Sequence, residues 1–124
     1  MNQTLIFRFA APDQVEWLRP GGAPEAGSLA DLAARAGGLR PVLTAPAEAV
    51  LLTSARLPGR QRGTWLKAVP FALEDNLAED VEDLHFAVGA PPPGGEVPVA
   101  VVRHDDLRGW LSACAGAGVA PAAV

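Results

Sequence analysis

A single cysteine, Cys114, stands among 124 residues, so no disulfide can close within the chain and the sequence suits a reducing compartment. Basic residues are also scarce: 10 Lys and Arg against 14 Asp and Glu leave a net charge of −4. That balance argues against nucleic-acid binding, which needs a basic face to neutralise phosphates. No run of about 18 apolar residues occurs, and the amino terminus has no basic region leading into an apolar core, so neither a membrane span nor a signal peptide is read. The expectation is a cytoplasmic segment that makes no membrane contact of its own.

Reactive groups are equally sparse. The two histidines, His85 and His104, belong to no His-x-x-x-His or Cys-pair pattern, and a metal needs three or four converging ligands. Each reads as an ordinary strand or strand-end residue. Cys114 sits on an apolar helical face with no evident base, which favours a small core residue over a nucleophile. Ser28, Ser54 and Ser112 lack the Gly-x-Ser-x-Gly context of a nucleophile elbow, and no Gly-x-x-x-x-Gly-Lys phosphate loop is present. No catalytic, cofactor-binding or metal-binding residue is assigned, and no cofactor is expected.

What is present is enough to fold: 49% of residues are hydrophobic and 19% charged, a balance that builds a core. Leu5 to Phe9 and Val15 to Leu18 are β-rich runs around the turn pair Pro12-Asp13, so a hairpin is predicted. Ser28 and Asp31, three apart, open a short helix carrying Leu29, Leu32, Ala33 and Ala36, which Gly37-Gly38 closes. Strands follow at Pro41 to Ala45 and Val50 to Arg56, the second apolar enough to expect burial on both faces. Downstream, Leu84, Phe86 and Val88 alternate as a half-buried strand, Pro91 to Gly95 is a loop, and Val97 to Val102 is a central strand. Asp105 or Asp106 then caps a helix with the face Leu107, Trp110, Leu111 and Cys114. Strands alternating with helices indicate an α/β or α+β fold.

The organising stretch is Trp65 to His85. Trp65, Val69, Leu73, Leu77 and Val81 recur every fourth residue, the spacing of a helix that buries one face. The stripe is expected to pack on the strands around Val50 and Val99. Pro70 interrupts it, so the helix kinks there or a second helix begins; the kink is favoured. One domain or two small lobes is the natural reading, the lobes being a strand-rich one over 1–58 and a kinked helix plus strand-strand-helix over 59–124. Pro121 to Val124 looks like the opening of a strand, and the chain is expected to be the amino-terminal portion of a longer protein.

Val69-Pro70-Phe71-Ala72-Leu73-Glu74-Asp75-Asn76-Leu77-Ala78-Glu79-Asp80, followed by Leu84-His85-Phe86, resembles the signature of the cytoplasmic domain of the type II secretion protein L family. Val50 to Thr53, Leu57-Pro58, Pro98 to Val102 and the helix around Trp110 fit the same family. The resemblance implies ribonuclease H-like, actin-like sub-domains, a mixed sheet flanked by helices. It also implies a parent protein that crosses the inner membrane once, with this part on the cytoplasmic face. Its partners would be the secretion ATPase and, through regions outside this chain, other inner-membrane platform proteins.

An actin-like fold normally holds ATP phosphates in its first hairpin turn. Here that turn is Ala10-Ala11-Pro12-Asp13; Pro12 has no N–H, Asp13 repels phosphate, and no glycine eases the approach. The resulting expectation is a non-catalytic adaptor that anchors the secretion ATPase. The alternative is an actin-like nucleotide-binding ATPase whose degenerate loops are completed by a missing carboxyl-terminal half. Glu79, Asp80, Glu82 and Asp83 are the candidate partner-binding residues, since they cannot all turn inward without burying unpaired carboxylates. The competing reading is a solvated face, which composition alone favours.

Overall fold

The computed structural model describes residues 3–124, which divide into two compact units: residues 3–46 with 108–124, and residues 47–107. The division does not follow the expected lobes over 1–58 and 59–124. Strand pairing is the reason: the segment after residue 46 hydrogen-bonds to a strand near residue 100, and the chain terminus returns to the first sheet.

In the first unit, β1 (Gln3–Ala11) and β2 (Gln14–Leu18) form the expected hairpin around Pro12-Asp13, with Phe7 opposite Trp17. The short strand β3 (Glu25–Gly27) pairs with β2, and β4 (Leu39–Leu43) lies parallel to β1, giving the order β3-β2-β1-β4. A parallel pair needs a crossover, and helix α1 (Leu29–Arg35) lies on that connection. Ser28 caps it as expected: Asp31 N–H donates to Ser28 Oγ at 3.1 Å, and Ser28 N–H donates to Asp31 Oδ2 at 3.0 Å.

Alternate residues of the hairpin, Leu5, Phe7, Val15 and Trp17, bury one face against Leu32, Leu43, Cys114 and Val119. Ile6 and Leu18 sit on the opposite face and are exposed. Trp17 Nε1 donates to Glu25 Oε2 at 3.1 Å, and Glu25 also receives Arg19 Nε at 2.7 Å and Arg35 Nη1 at 3.2 Å. One carboxylate thus satisfies the buried indole and ties β2, β3 and α1 together.

The last helix, α3 (His104–Gly116), begins one residue before the expected caps, so Asp105 and Asp106 lie in its first turn. Acids there still favour the helix through its dipole. At its other end Gly118 adopts φ +79°; its N–H donates to Ala115 O and Val119 N–H donates to Cys114 O. This is a Schellman motif, and Val119 and Cys114 meet in the core beneath it. The tail then runs alongside β4: Ala122 N–H donates to Pro41 O at 2.8 Å and Leu43 N–H to Ala123 O at 3.0 Å. Pro121 to Val124 therefore starts strand-like pairing parallel to β4.

The second unit is an antiparallel sheet ordered β5-β7-β6, from β5 (Val50–Ala55), β6 (Leu84–Val88) and β7 (Val97–Arg103), with helix α2 (Arg62–Leu73) over one face. Its core gathers Ala55, Val69, Leu73, Leu84, Val88, Val97, Val99 and Val101. The central strand is the expected one, with Pro98 at its second residue. β5 is not buried on both faces: Leu52, on the face opposite Ala55, is 77% exposed, and Leu51 is 48% exposed. Continuous apolar sequence reports preference for an apolar surface, not the number of covering layers, and Leu52 stays bare.

The organising stretch is also shorter as a helix than its spacing suggests. α2 runs through Pro70 and stops at Leu73; no second helix starts at Pro70. Pro70 removes the N–H that would bond the Leu66 carbonyl, and the chain then leaves α geometry one turn later. Glu74–Asn76 and Val81–Asp83 are single 3₁₀ turns. Val69 and Leu73 are buried as expected, while Trp65 and Leu77 pack half-buried against the same core. Leu77 keeps its inward role from outside the helix.

Candidate functional site

Glu79, Asp80, Glu82 and Asp83 all lie on the surface, in the bend after Leu77 and the following 3₁₀ turn rather than at the end of a helix. Their local geometry is fixed by the backbone: Asp83 N–H donates to Asp80 O at 3.0 Å, closing the turn before β6. Glu79 differs from the other three in its ion pair, Arg103 Nε to Glu79 Oε2 at 3.1 Å, which joins this bend to the end of β7.

The early end of α2 has a second consequence. On the helix-facing side of the sheet, Ala55 at one end of β5 is buried, whereas Leu51 at the other end is half exposed. Leu51 joins Leu77, Leu84 and Val101 as the apolar floor of a groove of about 570 Å³. Glu48, Glu79, Asp106 and Arg103 stand around it, three carboxylates and one guanidinium. Sequence reasoning missed this groove because it treated the 3.6-residue stripe as one helix that would cover these positions. The signal was Pro70 followed by six acids before Leu84, since proline disrupts a helix and acids are unfavourable at its carboxyl-terminal end. Phe71, 77% exposed on α2, was likewise not singled out.

The histidines do more than expected of isolated residues. β6–β7 pairing places His85 opposite Val102, and the rings of His85 and His104 meet edge-on with centroids 5.9 Å apart. Among the described residues no group of three or more His, Cys, Asp and Glu forms a metal-holding array. Cys114 is fully buried in the first unit, and desolvation pushes its thiol above the ordinary value, which suppresses the reactive thiolate. The β1–β2 turn keeps Pro12 and Asp13 exposed at its tip. With no N–H on Pro12 and a carboxylate beside it, that tip is poorly made for phosphate. No helix among the described residues is long and apolar enough to cross a membrane.

The fold is a mixed α/β, actin-like one. The chain superposes with TM-score 0.75 on the cytoplasmic domain of EpsL, an inner-membrane component of the type II secretion system of Vibrio cholerae, at 24% identity, covering 94% of this chain and 53% of that one. It also superposes with TM-score 0.71 on a chain of a PilM–PilN type IV pilus biogenesis complex, at 21% identity, covering 97% of this chain and 46% of that one. The family of type II secretion system protein L matches residues 5–124, and the chain belongs to that family. Relatives include protein L of Dickeya chrysanthemi, 36% identical over 130 residues, and of Pseudomonas aeruginosa, 41% identical over 80 residues. The matches take in 95% and 64% of this chain but only 32% and 21% of those proteins, so the chain spans about a third or less of their length.

Proposed function

We propose that this chain is the amino-terminal part of a cytoplasmic adaptor that anchors the type II secretion ATPase at the inner membrane. The observation that carries the reading is the protein L family match across residues 5–124. Two features of the molecule are consistent with a binding rather than a catalytic role. The first-hairpin turn presents Pro12 and Asp13 where a phosphate-binding loop needs free N–H groups. The surface after α2 combines exposed carboxylates with an open apolar groove, the ingredients of a protein-docking face. Localisation at the cytoplasmic face of the inner membrane follows the same reading.

Titration calorimetry of the chain against the secretion ATPase of its own system tests the proposal, with saturable binding as the expected result. No binding to the ATPase would overturn the adaptor reading. A parallel titration with Mg-ATP is expected to give no heat of binding; micromolar binding would favour a nucleotide-dependent protein instead.

A further inference from the structure

The groove beside β5 has a floor but no lid. Leu51 and the half-buried Leu77 supply its apolar surface above the buried Leu84 and Val101, and Leu51 remains 48% exposed although it faces the same side of the sheet as Val101. Leaving such surface in water is unfavourable by roughly 25 cal/mol for each Å². The charge around it is one-sided: Glu79 and Arg103 offset each other as an ion pair, which leaves the carboxylates of Glu48 and Asp106 in excess.

A small polar ligand is a poor occupant. Such ligands are oriented by a few converging polar groups within a concave site, and no polar or charged side chain is buried among the described residues. A protein segment fits better, because the groove is open along the surface and its charged groups stand at the rim rather than converging inside it. The carboxylates select its charge.

We propose that this groove is the docking site for a basic amphipathic segment of a partner protein, which lays apolar side chains on Leu51 and Leu77 and places Lys or Arg beside Glu48 and Asp106. This is recognition of a helix-in-groove type, with affinity from the apolar floor and charge selection from the rim. The inference rests on the adaptor reading for the identity of the partner, the secretion ATPase. β5 provides its own internal control, since Leu51 and Leu52 point to opposite faces of the sheet.

The test measures binding of the purified secretion ATPase to the full chain and to Leu51→Glu, Leu52→Glu and the pair Glu48→Gln with Asp106→Asn, each first checked for an unchanged thermal melt. Leu51→Glu is expected to weaken binding at least tenfold, Leu52→Glu to stay within twofold, and the double amide variant to flatten the salt dependence. Leu51→Gln replaces Leu51→Glu if the latter melts early. If the parent binds and the Leu51 and amide variants bind equally well, the groove is not the docking site and the adaptor reading stands. If Leu52→Glu is the damaging change, the partner sits on the other face of the sheet and the groove is again excluded. If the parent binds no ATPase at all, the adaptor reading falls, and the assigned occupant of the groove with it.

Discussion

Arg103 Nε lies 3.1 Å from Glu79 Oε2, so the bend that follows α2 is fastened to the last residue of β7. The pair is solvent-exposed, with 62% of the Arg103 side chain and 41% of the Glu79 side chain accessible. Pairs of this kind contribute at most about 1 kcal/mol and weaken with salt. Glu79→Gln is therefore expected to lower urea-unfolding stability by less than about 1 kcal/mol, with the difference vanishing in concentrated salt. A larger, salt-independent loss would mean that the bend depends on Glu79 for more than this ion pair.

Leu73 and Leu52 are both leucines of the second unit, 5% and 77% exposed. Leu73→Ala removes buried methyl groups beneath α2 and should cost about 2 to 5 kcal/mol, while Leu52→Ala should change stability by no more than about 0.5 kcal/mol. Equilibrium denaturation of the two variants separates the α2–sheet core from the bare face of β5. Equal losses would contradict the burial pattern.

Two glycines of α3 and its cap should respond with opposite sign to the same substitution. Gly109 lies inside the helix with nothing within 4 Å of an added Cβ, so Gly109→Ala should stabilise by roughly 0.5 to 1 kcal/mol. Gly118 also has open space, but its φ of +79° supports the Schellman motif, and alanine there should cost about 1 to 2 kcal/mol. Thermal melts of the two variants check both signs at once.

Much of this fold was legible because local chemistry and tertiary structure agree. Pro12-Asp13 makes the turn that its residue types favour, and Ser28 with Asp31 makes the capping box that their spacing implies. Alternation placed Leu5, Phe7, Leu84 and Val88 inward. The misreadings came where periodicity continues across a change of backbone geometry. Leu77 and Val81 fall in register with Leu73, yet only Leu77 joins the core, and neither lies in an α-helix. Pairing between distant strands was the other blind spot. Nothing in Val50 to Ala55 itself says that it pairs with Val97 to Val102 alone, and the groove depends on that edge position.

Cys114 is fully buried, and desolvation raises its thiol above the ordinary value of 9.0. The sign follows from linkage: below the unfolded thiol's ionisation both states keep the proton, so the contribution is intact. As pH rises past that point the unfolded state loses its proton first, and stability declines until the folded thiol ionises too. Alkylation by iodoacetamide at mildly alkaline pH is thus expected to be slow in the folded chain and fast in denaturant. Fast labelling without unfolding would place Cys114 in an open site.

The remaining carboxylates, Asp80, Glu82 and Asp83, lie outside the lining of the groove but precede β6 on an exposed turn, next in sequence to Glu79 at its rim. Charges so placed act on a basic partner at a distance, over roughly a Debye length of about 8 to 10 Å at moderate salt, and so affect encounter more than residence. Replacing all three by their amides should slow association of the secretion ATPase several-fold at low ionic strength and leave the dissociation rate almost unchanged. The gap should close as salt is added. Surface plasmon resonance at two ionic strengths reads both rates. If the association rate and its salt slope match the parent, these acids are a solvated face and the docking energy lies elsewhere. If instead dissociation accelerates, the turn is itself part of the contact, and the interface extends from the groove over Asp80 to Asp83.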